Sequence, residues 1–428
     1  MTAEVAIANS SAVALAADSA VTIGGQKIYN SALKVFSLSK LAPVGAMIYG
    51  NATLLGVPWE TLVKEYRKQL GAKRFDALEQ YATDLVAYLN KCTRYFPNAA
   101  QDSWLRANIR GFFGLQKREL EDWIKKRLDT GTTPTEAEMQ NEFQRILAMA
   151  IAQLEKFPKV AKLPEGMDRL VERRFRRTID EISKEVFQSL PLRKDHVRSL
   201  GKLTGLLHTR TIFSNGTSGL VVAGFGEDEL YPSVVTYQVE GFILDRMKCQ
   251  RSKEKCVQIQ QGGNAAIIPF AQDDMVYTFM QGMNPVVEQF VRTYLNTLFA
   301  RLPELLSDDS LAGDDSQKAA VRQRLRADAN SLLKDFLEQF QAHTRQSHIS
   351  PIIEMVAVLP KDELAAMAES LVNLTAFKRR MTRDLETVGG PIDVAVISKG
   401  DGLVWVKRKH YFPRELNQHF FENYFRGL

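Results

Sequence analysis

Thr2 directly follows the initiator methionine, and this single residue can supply both a nucleophile and a base. A small residue at position 2 normally allows the methionine to be removed, which would leave Thr2 with a free α-amino group beside its hydroxyl. The α-amino group has a reference pKa of about 7.7–8.0, so a substantial fraction can accept a proton near neutral pH. We therefore expect the amine to take the hydroxyl proton while the oxygen attacks a carbonyl carbon.

An acidic residue and a lysine follow Thr2 at equal spacing. Asp18 lies 16 residues after Thr2, and Lys34 lies another 16 residues on. A nearby cation lowers the pKa of an amine because it disfavours a second positive charge. Lys34 is the candidate for that cation, and Asp18 would keep it charged and oriented. Taken singly, Asp18 could cap a turn and Lys34 could be a charge on a strand face, so the hypothesis depends on all three residues together.

The spacing of Thr2, Asp18 and Lys34 resembles the start of a proteasome β subunit and of the bacterial proteasome-like peptidase that works under an ATPase ring. Both are N-terminal nucleophile (Ntn) hydrolases. A longer motif of this family, Asp-Ser-x-x-Thr-x-Gly, occurs here as the segment from Asp18 to Gly24. The resemblance implies catalytic roles for Thr2, Asp18 and Lys34.

The resemblance also implies how substrate would be held. Thr22 and Gly24 fall in the segment that pairs with substrate as an antiparallel strand in the family. The oxyanion donor would be the backbone N–H of Gly50, in a turn between a strand and the first long helix. Gly50 lies one to two residues further from Lys34 than its counterpart does in the family.

A segment near the C-terminus resembles the family only incompletely. Asp384 and the later Gly389-Gly390 pair resemble the pattern Arg-Asp-x-x-Ser-Gly-Gly. However, Val388 stands where the family has its serine, and Asp384 lies one residue too far upstream. We predict that Asp384 or Thr387 compensates, and that both act with Ser19 as supporting residues around the site.

Hydrophobic patterning predicts strands at both ends of the chain and in its middle, with helices between them. Residues 5–8 and 12–16 are short apolar runs separated by a turn signal. Residues 62–70 and 78–89 carry apolar residues at helical spacing. Further strands are predicted over residues 234–239, 241–244 and 352–358.

The resemblance implies an α+β fold, the four-layer αββα Ntn-hydrolase sandwich with two helical insertions. The Ntn core would then consist of three separate segments, residues 2–92, 213–280 and 352–412. Residues 93–212 would form the first helical insertion and residues 281–351 the second. Residues 413–428 would form a C-terminal tail.

Composition limits the classes of partner that are compatible with the chain. Its 428 residues are 45% hydrophobic and 25% charged, which is ordinary for a soluble globular protein. The net charge of +6 raises nucleic acid as a partner, but acidic residues are interleaved with most basic clusters, so we do not expect nucleic acid as a partner. Three cysteines are too few for a disulfide framework, so we expect a cytoplasmic protein. We expect no membrane span, no cofactor and no metal.

Three hypotheses for the function remain open. The first is a threonine endopeptidase that acts on polypeptides, assembles as a homo-oligomeric ring or partial ring, and works with an ATPase partner as relatives often do. The second keeps the fold but takes a small amide or an acyl-transfer substrate. The third is a catalytically inactive scaffold or assembly protein, in which the helical insertions form a binding surface.

Overall fold

The computed structural model describes residues 2–23, 27–188, 190–262, 264–305, 314–382 and 388–425. The fold is a mixed α+β fold whose two larger sheets contain antiparallel strand pairs. Among the described residues, no helix combines the length and the apolar character that crossing a membrane would need.

The strands concentrate near the two ends and in the middle of the chain. They are β1 (Ala3–Ala8), β2 (Ala12–Ala17), β3 (Val21–Ile23), β4 (Lys27–Tyr29), β5 (Val35–Ser37), β6 (Val44–Gly50), β7 (Thr53–Leu54), β8 (Val57–Pro58), β9 (Ser218–Gly224), β10 (Ser233–Ile243), β11 (Arg246–Arg251), β12 (Val257–Gln258), β13 (Ala266–Ala271), β14 (Asp393–Ser398) and β15 (Gly402–Lys407).

The helices fill most of the chain between the strands. They are α1 (Trp59–Leu70), α2 (Leu78–Lys91), α3 (Asn98–Asp129), α4 (Glu136–Lys156), α5 (Met167–Arg174), α6 (Arg176–Val186), α7 (Lys194–Thr209), α8 (Asp274–Gln281), α9 (Pro285–Arg301), α10 (Asp315–Thr344), α11 (Ser350–Val358), α12 (Lys361–Arg380) and α13 (Gln418–Phe425).

Contacts along the chain define two compact units. Unit 1 consists of Met1–Val35, Leu230–Ser233 and Val257–Gly427, and unit 2 consists of Phe36–Glu229 and Val234–Cys256. The six segments predicted from the sequence are a different division of the chain, and that division stays a prediction.

Unit 1 is built on a sheet with the strand order β13-β1-β2-β14-β15. Strands β1 and β2 form a hairpin in which Ala8 lies opposite Val13, as the apolar runs and the intervening turn predict. Helix α12 packs on β1, β2 and β14. Alternate residues of β1 and β2 join the apolar cluster under this helix, and many of them are alanines, whose small side chains let a helix approach a sheet closely.

Asn9 fixes the turn of this hairpin to the end of α11. Its Nδ2 donates hydrogen bonds to the carbonyls of Val356 and Leu359, at 3.0 and 2.9 Å. Its Oδ1 accepts from the backbone N–H groups of Ser11 and Ala12. One buried side chain therefore satisfies polar groups of two elements that are far apart in the sequence.

Unit 2 has a sheet with the strand order β11-β10-β9-β6-β5 and a separate group of helices. Helix α2 contacts β9 and β11. Helices α3 to α7 enclose an apolar cluster of their own, with Phe113, Phe143 and Leu203 among its fully buried members. The Thr135–Glu138 capping box predicts the start of α4, and both of its reciprocal hydrogen bonds are present.

Two strand predictions are wrong. Residues 352–358 form most of helix α11, not a strand, because Pro351 occupies its first turn and the helix directly continues a helical segment that begins in α10. Residues 234–239 and 241–244 are not two separate strands, since β10 runs through both as far as Ile243. A register shift between Val239 and Gly241 absorbs the irregularity in its pairing with β11.

Replacement of Asn9 by alanine should destabilise the fold by about 3 kcal/mol, because buried carbonyls and N–H groups would lose their partner. Urea-induced unfolding at neutral pH measures the change. Ser11→Ala is the matched control, since the Ser11 hydroxyl contacts the Asn9 side chain, and it should cost less than about 1 kcal/mol. Equal effects of the two substitutions would contradict this role of Asn9.

Candidate active site

The β1–β2 hairpin brings the first predicted site residues together. Thr2 immediately precedes β1 and Asp18 immediately follows β2, and the antiparallel register places Glu4 opposite Ala17. The backbone N–H of Ala3 donates to Asp18 Oδ1 at 3.1 Å, and the N–H of Asp18 donates to the Ala3 carbonyl at 3.1 Å. Residues far apart in the sequence are therefore neighbours at the open end of one hairpin.

Asp18 is fully buried and is surrounded by hydrogen-bond donors. Besides Ala3, the N–H of Gly389 donates to Oδ2 at 2.9 Å and the N–H of Ala20 donates to the same oxygen at 3.3 Å. The Lys34 ammonium donates to Oδ1. Burying a carboxylate is costly unless it is paired and hydrogen-bonded, and these donors meet that requirement.

Lys34 lies between two carboxylates. Its side chain is 7% exposed, and its Nζ contacts Asp18 Oδ1 and lies 3.2 Å from Glu4 Oε1, while both acidic side chains are 0% exposed. The sequence predicted the first of these ion pairs. The ion pair with Glu4 adds a second carboxylate, so Lys34, Asp18 and Glu4 together carry one negative charge when both carboxylates are ionised.

Glu4 connects the lysine to the nucleophile. The Thr2 hydroxyl donates a hydrogen bond to Glu4 Oε2 at 3.1 Å, while the other oxygen of the same carboxylate faces Lys34. Burial raises the pKa of Glu4 to about 7, opposed by the attraction of Lys34 and reinforced by the repulsion of Asp18. Glu4 is thus a carboxyl group that changes charge near neutral pH.

Sequence reasoning missed Glu4, although one signal pointed to it. Glu4 is the single charged residue in the strand sequence Ala-Glu-Val-Ala-Ile-Ala. Side chains alternate along a strand, so Glu4, two positions after Thr2, projects on the same side as Thr2. A charged residue in an otherwise apolar strand, on the same face as a predicted nucleophile, is a signal that Glu4 belongs to the site.

The segment around Gly389 closes the site from the C-terminal half of unit 1. Ser19 donates its N–H to the Gly389 carbonyl at 3.1 Å and its hydroxyl to the Pro391 carbonyl. Val388 is fully buried in the apolar cluster under α12. The residue that replaces the serine of the related pattern therefore contributes to packing, while backbone groups of this segment hold Asp18 and Ser19.

A second ion pair lies close to the first. Asp393 begins β14 opposite Ala17, and its carboxylate accepts hydrogen bonds from the N–H of Lys409, at 2.8 Å, and from the ammonium of Lys409. Burial lowers the pKa of Lys409, and the nearby charge of Lys34 lowers it further. The electrostatic environment of Thr2 thus contains two lysines and three carboxylates.

Two of the other predicted site residues, Gly50 and Thr22, are described by their own local surroundings. Gly50 lies in unit 2 at the end of β6, with φ of +79°. A Cβ at this position would lie 2.5 Å from the Thr217 carbonyl oxygen, so only glycine fits. Thr22 lies in β3 opposite Ile28 of β4. Gly24, Asp384 and Thr387 lie outside the described residues.

Metal-ligating side chains form no cluster in the portion of the chain that the structure describes. No three His, Cys, Asp or Glu side chains there are grouped as the ligands of an ion would be. The charged groups around Thr2 are paired carboxylates and ammonium groups.

Comparisons with known proteins give little further information. No family model matches the chain, and no curated protein sequence matches it. Seven chains of solved structures match. One of them is Anbu (ancestral beta-subunit) from Yersinia bercovieri, with a TM-score of 0.27 and 9% sequence identity, over 98% of this chain and 94% of that chain. A similarity this low carries no argument, so any function must be argued from the site.

Replacement of Glu4 by glutamine should stabilise the protein relative to wild type as the pH rises. The folded state raises the pKa of Glu4 from 4.5 to about 7, so it holds this proton more tightly than the unfolded chain does. The resulting stabilisation is complete below pH 4.5 and is lost as the pH rises through about 7. Glutamine lacks this dependence, so the difference between the two proteins should change by up to about 3 kcal/mol.

Urea-induced unfolding at pH 5 and pH 8 provides the measurement. Glu363→Gln, at an exposed position of α12, is the matched control. An identical pH dependence in wild type, Glu4→Gln and Glu363→Gln would contradict the raised pKa of Glu4.

Proposed function

We propose that the protein is a threonine-type endopeptidase in which Thr2, exposed by removal of Met1, attacks the carbonyl carbon of a peptide bond. The observation that carries this proposal concerns the buried carboxylate of Glu4. One of its oxygens contacts the Thr2 hydroxyl, and the other contacts the Lys34 ammonium, which also pairs with Asp18. The three residues of the resembling motif, Thr2, Asp18 and Lys34, thus lie together at the open end of the β1–β2 hairpin. The proposal includes the four-layer αββα Ntn-hydrolase sandwich with helical insertions.

The α-amino group, the lysine and the aspartate have separate roles in this proposal. After methionine removal, the α-amine of Thr2 lies on the atom adjacent to the carbon that carries the hydroxyl, so it can reach the hydroxyl proton directly or through one water. Lys34 supplies a positive charge that stabilises negative charge developing on the oxygen. Asp18 orients Lys34, and the backbone donors on Asp18 hold its own position.

The Gly50 N–H is the proposed oxyanion donor. The support for this assignment is local: the positive φ and the close approach to the Thr217 carbonyl leave room only for glycine at the end of β6. A preorganised N–H of this kind is worth about 3–4 kcal/mol of transition-state stabilisation in enzymes that use one.

The β3 segment is the proposed platform for substrate. β3 is an extended segment that pairs with β4 through the register Thr22–Ile28. An extended peptide can pair with a strand edge and gain main-chain hydrogen bonds. Thr22 and Gly24 are the proposed substrate-binding residues, and Ser19, Asp384 and Thr387 are the proposed supporting residues.

We also propose that the protein assembles into a homo-oligomeric ring or partial ring and works with an ATPase partner. This part of the proposal rests on the resemblance of the Thr2, Asp18 and Lys34 motif to the proteasome family. Helix α9 offers apolar surface that supports self-association. Val286, Phe290 and Tyr294, at four-residue spacing, are 73%, 69% and 58% exposed. Large exposed apolar patches commonly mark interaction surfaces.

The Thr2→Ala variant should lose all peptide hydrolysis while it retains its fold. Alanine also permits methionine removal, so the hydroxyl group is lost while the free α-amine is kept. Hydrolysis of an unfolded protein substrate and of small amides should be compared, and an N-terminal-threonine-directed peptide epoxyketone should be mapped by mass spectrometry. The expected adduct is on Thr2 in the wild type and is absent from the variant.

Thr382→Ala, at an exposed position after α12, is the matched control and should behave as wild type. Full activity of Thr2→Ala would overturn the proposal. Hydrolysis of small amides alone would favour the alternative substrate class, and an intact mass that retains Met1 would favour the inactive scaffold.

A further inference from the structure

Glu4 is a buried carboxyl group in contact with the proposed nucleophile, and the function proposed above assigns it no role. We propose that Glu4 is a catalytic base for Thr2, which takes the hydroxyl proton as the oxygen attacks and returns it to the leaving amine. This inference rests on Thr2 being the nucleophile, as proposed above, and assigns the role of the base to Glu4 in place of the Thr2 α-amine.

The geometry suits direct proton transfer. Thr2 Oγ1 donates to Glu4 Oε2 at 3.1 Å, within the reach expected between a reacting group and its base. Glu4 belongs to β1, whose backbone pairs with β2 on one side and β13 on the other. Its second oxygen is held 3.2 Å from Lys34 Nζ. The carboxyl group is therefore fixed at both ends, by the sheet and by the lysine.

The charges around Glu4 set the range of pH in which it can act. Thr2 faces it from its own strand, Asp18 from the end of β2 and Lys34 from the segment before β5. The Asp393–Lys409 pair lies beyond Lys34 and Asp18 and has no net charge. Burial and Asp18 raise the pKa of Glu4 to about 7, so the group is partly ionised at neutral pH and can both accept and release a proton.

The same charges weaken the α-amine as the base. One ammonium, Lys34, is shared by two carboxylates, Asp18 and Glu4. When Glu4 is ionised, the three groups together carry a net negative charge, which favours the positively charged form of the Thr2 α-amine. A protonated amine cannot take the hydroxyl proton, whereas an ionised Glu4 can.

The proposed steps balance in atoms and charge. As the bond from Thr2 Oγ to the carbonyl carbon forms, the O–H bond breaks and the proton moves to Glu4. When the C–N bond of the substrate breaks, this proton moves to the leaving nitrogen. Water then attacks the ester on Thr2 and gives a proton to Glu4. The ester C–O bond breaks, and Thr2 Oγ recovers a proton from Glu4, which restores the starting state.

Glu4→Gln provides the first test, because the amide keeps an oxygen acceptor for Thr2 but cannot serve as a base. We expect kcat/KM for peptide hydrolysis to fall by a factor of roughly 10²–10⁴, the usual contribution of a general base. Intact mass and circular dichroism should show that methionine is removed and the fold is kept. Thr2→Ala is measured in parallel, because its loss of activity shows that the nucleophile is correctly assigned.

Glu4→Ala provides the second test, because a small molecule can occupy the vacated space. Formate carries the missing carboxylate, and formamide has nearly the same shape without a basic oxygen. We expect formate to raise the rate of the variant at least tenfold and formamide to leave it unchanged. A residue that only positions Thr2 would not distinguish the two molecules.

Glu4→Gln activity within threefold of wild type, with an inactive Thr2→Ala, would overturn the role of Glu4 and leave Thr2 as the nucleophile. Equal rescue of Glu4→Ala by formamide and formate would also overturn it. Full activity of Thr2→Ala would instead refute the proposed function itself.

Discussion

The charge balance around Lys34 is the constraint on which the proposed chemistry depends. One ammonium group is buried beside two carboxylates, and removing three charges from water is costly unless each finds partners. Asp18 meets this requirement with three backbone N–H groups in addition to the lysine. Glu4 is held instead by two side chains, the Thr2 hydroxyl and the Lys34 ammonium, and burial raises its proton affinity.

This imbalance links the architecture of unit 1 to the reactivity of Thr2. The hairpin, the segment around Gly389 and the lysine before β5 all contribute to holding Asp18, so Asp18 and Lys34 form a fixed pair. Glu4 is then the adjustable member of the cluster, since burial raises its pKa to about 7 and it can gain or lose a proton near neutral pH. Thr2 donates to this adjustable group, so in the proposed mechanism the charge of Glu4 determines how strongly the hydroxyl is activated.

The proximity of Thr2 and Asp18 follows from the sequence, because a hairpin of fixed register brings the ends of its strands together. Lys34 lies outside the hairpin, and its pairing with Asp18 was predicted from residue type and spacing alone. The Thr135–Glu138 cap and the helices α1 and α2 were predictable for a similar reason, since their signals are local. Glu4 was missed because its role depends on burial and on a lysine distant in the sequence, which periodicity does not report.

The strand prediction for residues 352–358 was wrong because local composition was misleading there. Its β-branched residues favour a strand, but the segment continues directly from preceding helical turns and ends with carbonyls held by Asn9. Those carbonyl contacts join opposite ends of the chain, so no local pattern contains them. Gly50 illustrates another limit, because its need for glycine is explained by Thr217, a contact across β6 and β9.

A crystal structure of the mature protein in complex with a peptide boronate would test most directly whether Thr2 is the nucleophile beside this charge cluster. A boronate mimics the tetrahedral intermediate and forms a covalent bond with the nucleophile. We expect the boron atom to be bonded to Thr2 Oγ, with Met1 absent, Lys34 Nζ still between Asp18 and Glu4, and a Glu4 oxygen within hydrogen-bond distance of Thr2. A boronate bound elsewhere, or a Lys34 side chain turned away from both carboxylates, would contradict the role of this charge cluster.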